Sequence, residues 1–169
     1  MTKVLPLKIY PDPVLRIKGK KLTVAEIQSD EIQQLILDME ETMITEEGIG
    51  LAAPQIGKSL RLTVIRTDDG SVVLINPRIL MKSLKKEKEE EGCLSIPEVF
   101  GTVRRAIKIR VSAFDQNGKK IKFTANGLFA RVILHEVDHL NGILFIDRSK
   151  EITKGQEVLA KMKKSNDKS

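Results

Sequence analysis

Tryptophan is missing from this 169-residue chain, tyrosine occurs once, and aromatic residues make up only 4% of it, so a core must be built mainly from Ile, Leu and Val. A single cysteine, Cys93, excludes an internal disulfide framework and fits a reducing compartment. No run of about 18 apolar residues occurs, which leaves no segment able to cross a membrane as a helix. The opening Met1-Thr2-Lys3-Val4-Leu5-Pro6 lacks the unbroken apolar stretch of a secretory signal, and a cytoplasmic location is expected. Histidine is almost as scarce as cysteine: there are two, His135 and His139.

What is present is ordinary for one globular domain: 41% hydrophobic and 31% charged residues, too short a chain for two comfortable domains. The net charge of +6 is concentrated late, in Lys150, Lys154, Lys161, Lys163, Lys164 and Lys168. Such an end is either a solvated tail or a surface attracted to a polyanion such as RNA. No aromatic interleaving accompanies it, so sequence-specific nucleic-acid binding is not expected.

Ser29 can cap a helix that begins at Asp30 and Glu31, with Ile32, Leu35, Ile36, Met39 and Met43 on its inner face and an end by Gly48. Residues 60–66 and 72–76 read as strands around the turn Asp68-Asp69-Gly70, with Pro77 closing the second. The charged run 82–90 is expected as an exposed loop or edge. Ile107, Ile109, Val111 and Ala113 alternate with polar residues, and Asn117-Gly118 turns that strand into a partner at 121–125. Residues 128–140 are apolar almost all round and should form a buried helix. A last helix over 153–163 would dock through Val158, Leu159 and Met162.

The buried helix contains Arg131, His135, Glu136, Asp138 and His139, which need partners or a purpose. Residues four apart on a helix differ by about 40° in azimuth, so both imidazoles face the same side and can share one ion. Glu136 projects close enough to touch a water on that ion, the physical content of H-E-x-x-H. An open catalytic site needs a third protein ligand. With no further histidine, that ligand is Cys93 or a carboxylate. Cys93 stands in Glu91-Gly92-Cys93-Leu94-Ser95, followed by Pro97 and Gly101, which reads as a shaped loop rather than a core strand. A third element, Gly48-Ile49-Gly50-Leu51-Ala52-Ala53-Pro54-Gln55, lets backbone approach a ligand closely and ends in a side-chain amide donor.

Together these three segments resemble, in order and spacing, the signature motifs of the peptide deformylases, and the resemblance runs from about residue 9 to 148. It implies an α+β single domain, with small antiparallel or mixed sheets packed around a central buried helix carrying H-E-x-x-H, plus an N-terminal and a C-terminal helix. Residues 1–148 would be the catalytic domain and 149–169 a basic C-terminal helix or tail. The resemblance implies Cys93, His135 and His139 as metal ligands, Glu136 as the acid/base, and Gln55 with the Leu94 N–H as oxyanion donors. It places Gly50 against the substrate backbone, Ile49, Leu128 and Val132 around the methionine side chain, and Glu91 with Arg105 as a brace. Val99 and Phe100 stand where other members present a basic side chain to the substrate. Arg131 either shapes the pocket rim or anchors the helix.

The implied reaction is hydrolysis of the formamide on formyl-methionine nascent peptides, by water activated on one divalent transition metal per chain. Fe²⁺ is the expected ion, and Zn²⁺, Ni²⁺ or Co²⁺ could replace it. Ribosome association through the basic tail is a further expectation. Two alternatives remain at this point: an H-E-x-x-H metallopeptidase cutting internal bonds with Asp147 or Glu151 as third ligand, and a basic ribosome- or RNA-associated protein with a structural metal.

Overall fold

The computed structural model describes residues 1–167. Eight strands form two antiparallel sheets that share one helix. β1 (Gly50–Ala52), β2 (Leu62–Thr67), β3 (Gly70–Lys82), β6 (Lys108–Phe114) and β7 (Lys120–Asn126) make a five-stranded sheet in the order β1-β2-β3-β6-β7. β4 (Lys86–Cys93), β5 (Ile96–Ala106) and β8 (Glu151–Lys154) make the second, in the order β4-β5-β8. The helices are the single turn α1 (Val24–Ile27), α2 (Asp30–Thr45), α3 (Gly127–Leu140), the short α4 (Phe145–Arg148) and α5 (Gln156–Asn166). The expected α+β class is observed, and every pairing between named strands is antiparallel.

Ser29 caps α2 as its sequence position requires, and Ile32, Ile36, Met39 and Met43 are buried against β1 to β3. α3 contacts strands of both sheets. Ile133 and Leu140 on it are fully buried, each a contribution of about 1.5–3 kcal/mol. It stops where Asn141 leaves the helix and Gly142 takes φ +73°; a Cβ there would lie 2.4 Å from the Arg16 carbonyl oxygen, so only glycine fits.

Three sequence expectations are corrected. Pro77 does not close β3, which runs on to Lys82. The register shifts between Ile75 and Arg78 as β3 passes from pairing with β2 to pairing with β6, and the proline occupies that irregularity, where no ladder hydrogen bond is demanded of it. The Cys93 segment is a hairpin rather than a loop: Cys93 ends β4 opposite Ile96, and Leu94-Ser95 make the turn. The last helix begins at Gln156, because residues Glu151–Lys154 extend to pair with β5. Leu159 is buried on the same core, with Val158 and Met162 packed beside it. Of the charged run 82–90, Lys82 ends β3 and residues 86–90 belong to the edge strand β4, one of the forms expected for it. Lys168 lies outside the described residues.

Candidate metal centre

Two elements bring the scarce residues together. β4 delivers Cys93 at its end, and α3 presents His135 and His139 one turn apart. One ligand atom from each lies within 4.8 Å of the others, and the Cys93 Sγ is 3.3 Å from His139 Nε2. The His135 Nδ1 faces Glu91 Oε1 at 2.8 Å, which leaves its Nε2 for the cluster. A carboxylate behind an imidazole is the usual outer support of a metal-binding histidine.

A cavity of about 530 Å³ opens onto this cluster. Ile49, Gly50, Gln55, Glu91, Cys93, Leu94, Leu128, Val132, His135 and Glu136 all line it, whereas His139 and Arg105 lie behind its wall. Ile49 and Leu128 are exposed at its mouth and Val132 is buried. Gln55 is almost completely buried; its Oε1 accepts from the Ala52 N–H at 2.9 Å, so Nε2 is aimed at Cys93 Sγ (3.5 Å) and Ser95 Oγ (3.2 Å). Phe100 lines the cavity and Val99 is buried, so neither offers a cation. Exposed carboxylates instead surround the mouth: Glu46, Glu47, Glu89, Glu90 and Glu98.

Burial pushes the Glu136 carboxyl up to about 7. Burial lowers His135, but hydrogen bonds to Cys93 and Glu91 outweigh it and raise the imidazole to about 10. Burial and the neighbouring His135 drive His139 well below the ordinary histidine value. Burial disfavours the Glu91 anion, yet Arg105 and His135 overcome that and hold it well below the usual carboxylate range. A thiol, the neutral imidazole of His139 and the His135 imidazole backed by the Glu91 carboxylate are donors that fit a divalent transition metal, which takes the place of the His135 proton. Glu136 Oε2, buried and without a hydrogen-bond partner among the described residues, fits the same reading.

Sequence reasoning left the roles of several supporting groups open. Arg105 donates two hydrogen bonds to Glu91 and one to Asp138 Oδ2, and Arg148 donates to both oxygens of Asp138, sharing Oδ2 with Arg105. Arg131 is buried and bonded to Glu91. Asp138 stood out as a polar residue inside an apolar helix; of its partners, Arg148 is ten residues on and Arg105 is on a sheet strand 33 residues back. The rival third ligands are engaged elsewhere, Asp147 with Arg16 and Glu151 with Lys88.

Residues 4–155 match the family model described as polypeptide deformylase. A relative named peptide deformylase from Dictyoglomus thermophilum is 47% identical over 142 residues, covering 84% of this chain and 90% of the relative. The crystal structure of the peptide deformylase from Thermotoga maritima aligns with a TM-score of 0.84 at 40% identity, over 87% of this chain and 98% of that one. A class I type b peptide deformylase from Acinetobacter baumannii, solved with Met-Ala-Ser bound, aligns with a TM-score of 0.83 at 36% identity, over 88% and 99%.

Proposed function

This chain belongs to the polypeptide deformylase family, which removes the N-terminal formyl group from nascent peptides, and we propose that Cys93, His135 and His139 hold the cation on which that hydrolysis depends. The carrying observation is the convergence of one thiol and two imidazoles within 4.8 Å, beside a buried carboxyl and at the wall of a cavity. When bound, a divalent transition metal supplies a Lewis acid and brings the pKa of water to about 7. Fe²⁺ is the proposed resident ion, with Zn²⁺, Ni²⁺ or Co²⁺ as substitutes. Thiolate and imidazole donors suit all four and disfavour Mg²⁺ or Ca²⁺.

The rest of the chemistry is done by the chain's own side chains and backbone. Ile49, Leu128 and Val132 receive the methionine side chain, and the Gly50 backbone lies along the substrate main chain. Glu136 takes a proton from the attacking water as its oxygen bonds to the formyl carbon. The same carboxyl returns the proton to the departing nitrogen as the C–N bond breaks, giving formate and a free amine. Gln55 Nε2 and the Leu94 N–H donate to the oxygen on which negative charge develops. Glu91 and Arg105 hold His135 in orientation. The Met-Ala-Ser bound to the Acinetobacter relative supports a short peptide leaving this cavity.

Anaerobically purified protein should release formate from a formyl-Met tripeptide and carry one transition metal per chain. Cys93→Ser should lose both. Retention of metal and of formate release by that variant would take Cys93 out of the ligand set. We place the reaction in the cytoplasm; among the described residues no helix is long and apolar enough to cross a membrane. Residues 149–169, expected as a basic appendage to a catalytic unit of 1–148, are joined to that unit by the pairing of β8 with β5 and by the buried Leu159; we also propose that the exposed Lys161, Lys163 and Lys164 of α5 contact the ribosome. Replacing those three with Glu should spare formate release and reduce co-sedimentation with ribosomes; unchanged co-sedimentation would remove the contact.

A further inference from the structure

We propose that Arg131 is a positioning residue of the metal centre: it fixes the Glu91 carboxylate against His135 and ties α3 to the hairpin that carries Cys93. The inference rests on the metal-site reading above.

Arg131 lies one turn before His135 on α3, so both side chains leave the same helix face. It is 6% exposed. Its Nη1 donates to Glu91 Oε2 at 2.7 Å and to the Val103 carbonyl at 2.9 Å, and its Nη2 donates to the Glu87 carbonyl at 2.7 Å. Its Nε is 3.1 Å from the Glu89 carboxylate at the cavity mouth. One side chain therefore joins the helix to both strands of the hairpin, β4 through Glu87, Glu89 and Glu91, and β5 through Val103.

The Glu91 carboxylate is held on every side. Oε2 accepts from Arg105 Nε at 2.7 Å as well as from Arg131, while Oε1 accepts from Arg105 Nη2 at 2.9 Å and faces His135 Nδ1 at 2.8 Å. These contacts use its full acceptor capacity. Arg105 reaches α3 at a different place, through Asp138 at 2.8 Å. The two arginines thus attach the helix to the hairpin before and after His135. With Arg131 gone, the attachment beyond His135 remains and the one before it is lost. The helix can then pivot, and the distance from Cys93 to the imidazoles is no longer fixed.

Stability alone does not account for this arrangement. Apolar residues of similar volume often replace a buried ion network at no cost or with a gain. An orienting role does account for it, because a planar fork sets direction and an ammonium does not. Groups standing behind metal ligands typically govern metal affinity by about 10–100-fold when altered.

The test compares wild type, Arg131→Met, Arg131→Lys and the core control Met39→Ala. Zinc affinity is read by competition with a chromophoric chelator, the site geometry by the visible spectrum of the cobalt-loaded protein, and the fold by thermal melting. Arg131→Met should bind zinc about 10–100-fold more weakly with an altered cobalt spectrum, and Arg131→Lys should recover only a small part. Met39→Ala, altering a fully buried side chain on α2, should melt lower with unchanged zinc affinity. The proposal is overturned if both Arg131 variants hold zinc within about twofold of wild type with an unaltered spectrum, whatever their melting temperatures. Should Arg131→Met not fold, Arg131→Lys decides by the same two readouts. Failure of wild type to bind zinc would instead defeat the metal-site reading.

Discussion

Burial holds the Glu136 carboxyl near 7, while Gly50 leaves it room: a Cβ at that position would lie 2.5 Å from Glu136 Oε1. A base must be ionised to accept a proton, so the rate should rise with pH as this carboxyl deprotonates. In the loaded site a cation takes the place of the His135 proton and pulls this carboxyl down in the same direction, so the acid limb of kcat/KM should have an apparent pKa at or below about 7. Glu136→Gln should remove that limb and cost about 10²–10⁴ in kcat with metal content intact. An unchanged pH–rate profile in the variant would take Glu136 out of the proton path. Gly50→Ala should displace the carboxyl and lower kcat by about 10²-fold with normal metal content, a misplacement effect read by the same assay. His135, Glu136, His139 and Cys93 were legible in the sequence because their types are scarce and their spacing is chemical. Arg131 could be marked only as a rim residue or a helix anchor with no partner named, and Asp138 only as a polar residue in an apolar helix. Their ties to the hairpin reach residues tens of positions away, Glu91 for the first and Arg105 for the second.

Among the elements, α2 and the N-terminal segment illustrate what local pattern reveals and hides. The helix itself was legible from Ser29 and the apolar repeat. Its tie to the start of the chain was not: Thr42, fully buried, donates to the Asp38 carbonyl at 2.6 Å and accepts from the Leu5 N–H at 2.8 Å. Thr42→Val keeps the shape and strands that N–H, and should destabilise by about 1–3 kcal/mol in urea unfolding with kcat unaffected. Less than a few tenths of that cost would mean the N–H finds another partner. β8 escaped the sequence reading because it has four residues and pairs with β5, about fifty positions earlier. The passage of β3 through Pro77 escaped it because one strand serves two partners with a register shift between them.

Over the whole molecule, the centre lies where the two sheets meet through α3, so a cation bound by Cys93, His135 and His139 links separate parts of the fold. Binding only to the folded state should raise the melting temperature. That gain should shrink on acidification, because protons compete for the thiol and imidazoles. The metal-free protein has its own acid limit. Glu91 is depressed far below its ordinary value of 4.5. It therefore stabilises the fold above that unfolded-state value, and the contribution drains away as pH falls toward the lower folded value. Melting scans of zinc-loaded and metal-free protein from pH 8 to 3 read both effects; a zinc increment independent of pH would contradict the assignment of ionisable ligands. The α+β class came from the family resemblance, while the individual helices and strands were readable from their periodicities. The sheet order was not, because the β3–β6 and β5–β8 neighbours are set by long-range packing.

X-ray absorption fine structure on zinc-loaded protein tests the central claim most directly. One sulfur at about 2.3 Å and two imidazole nitrogens at about 2.0–2.1 Å, with a lighter fourth donor, is the predicted first shell. A shell containing no sulfur, or one unchanged by Cys93→Ser, would contradict it.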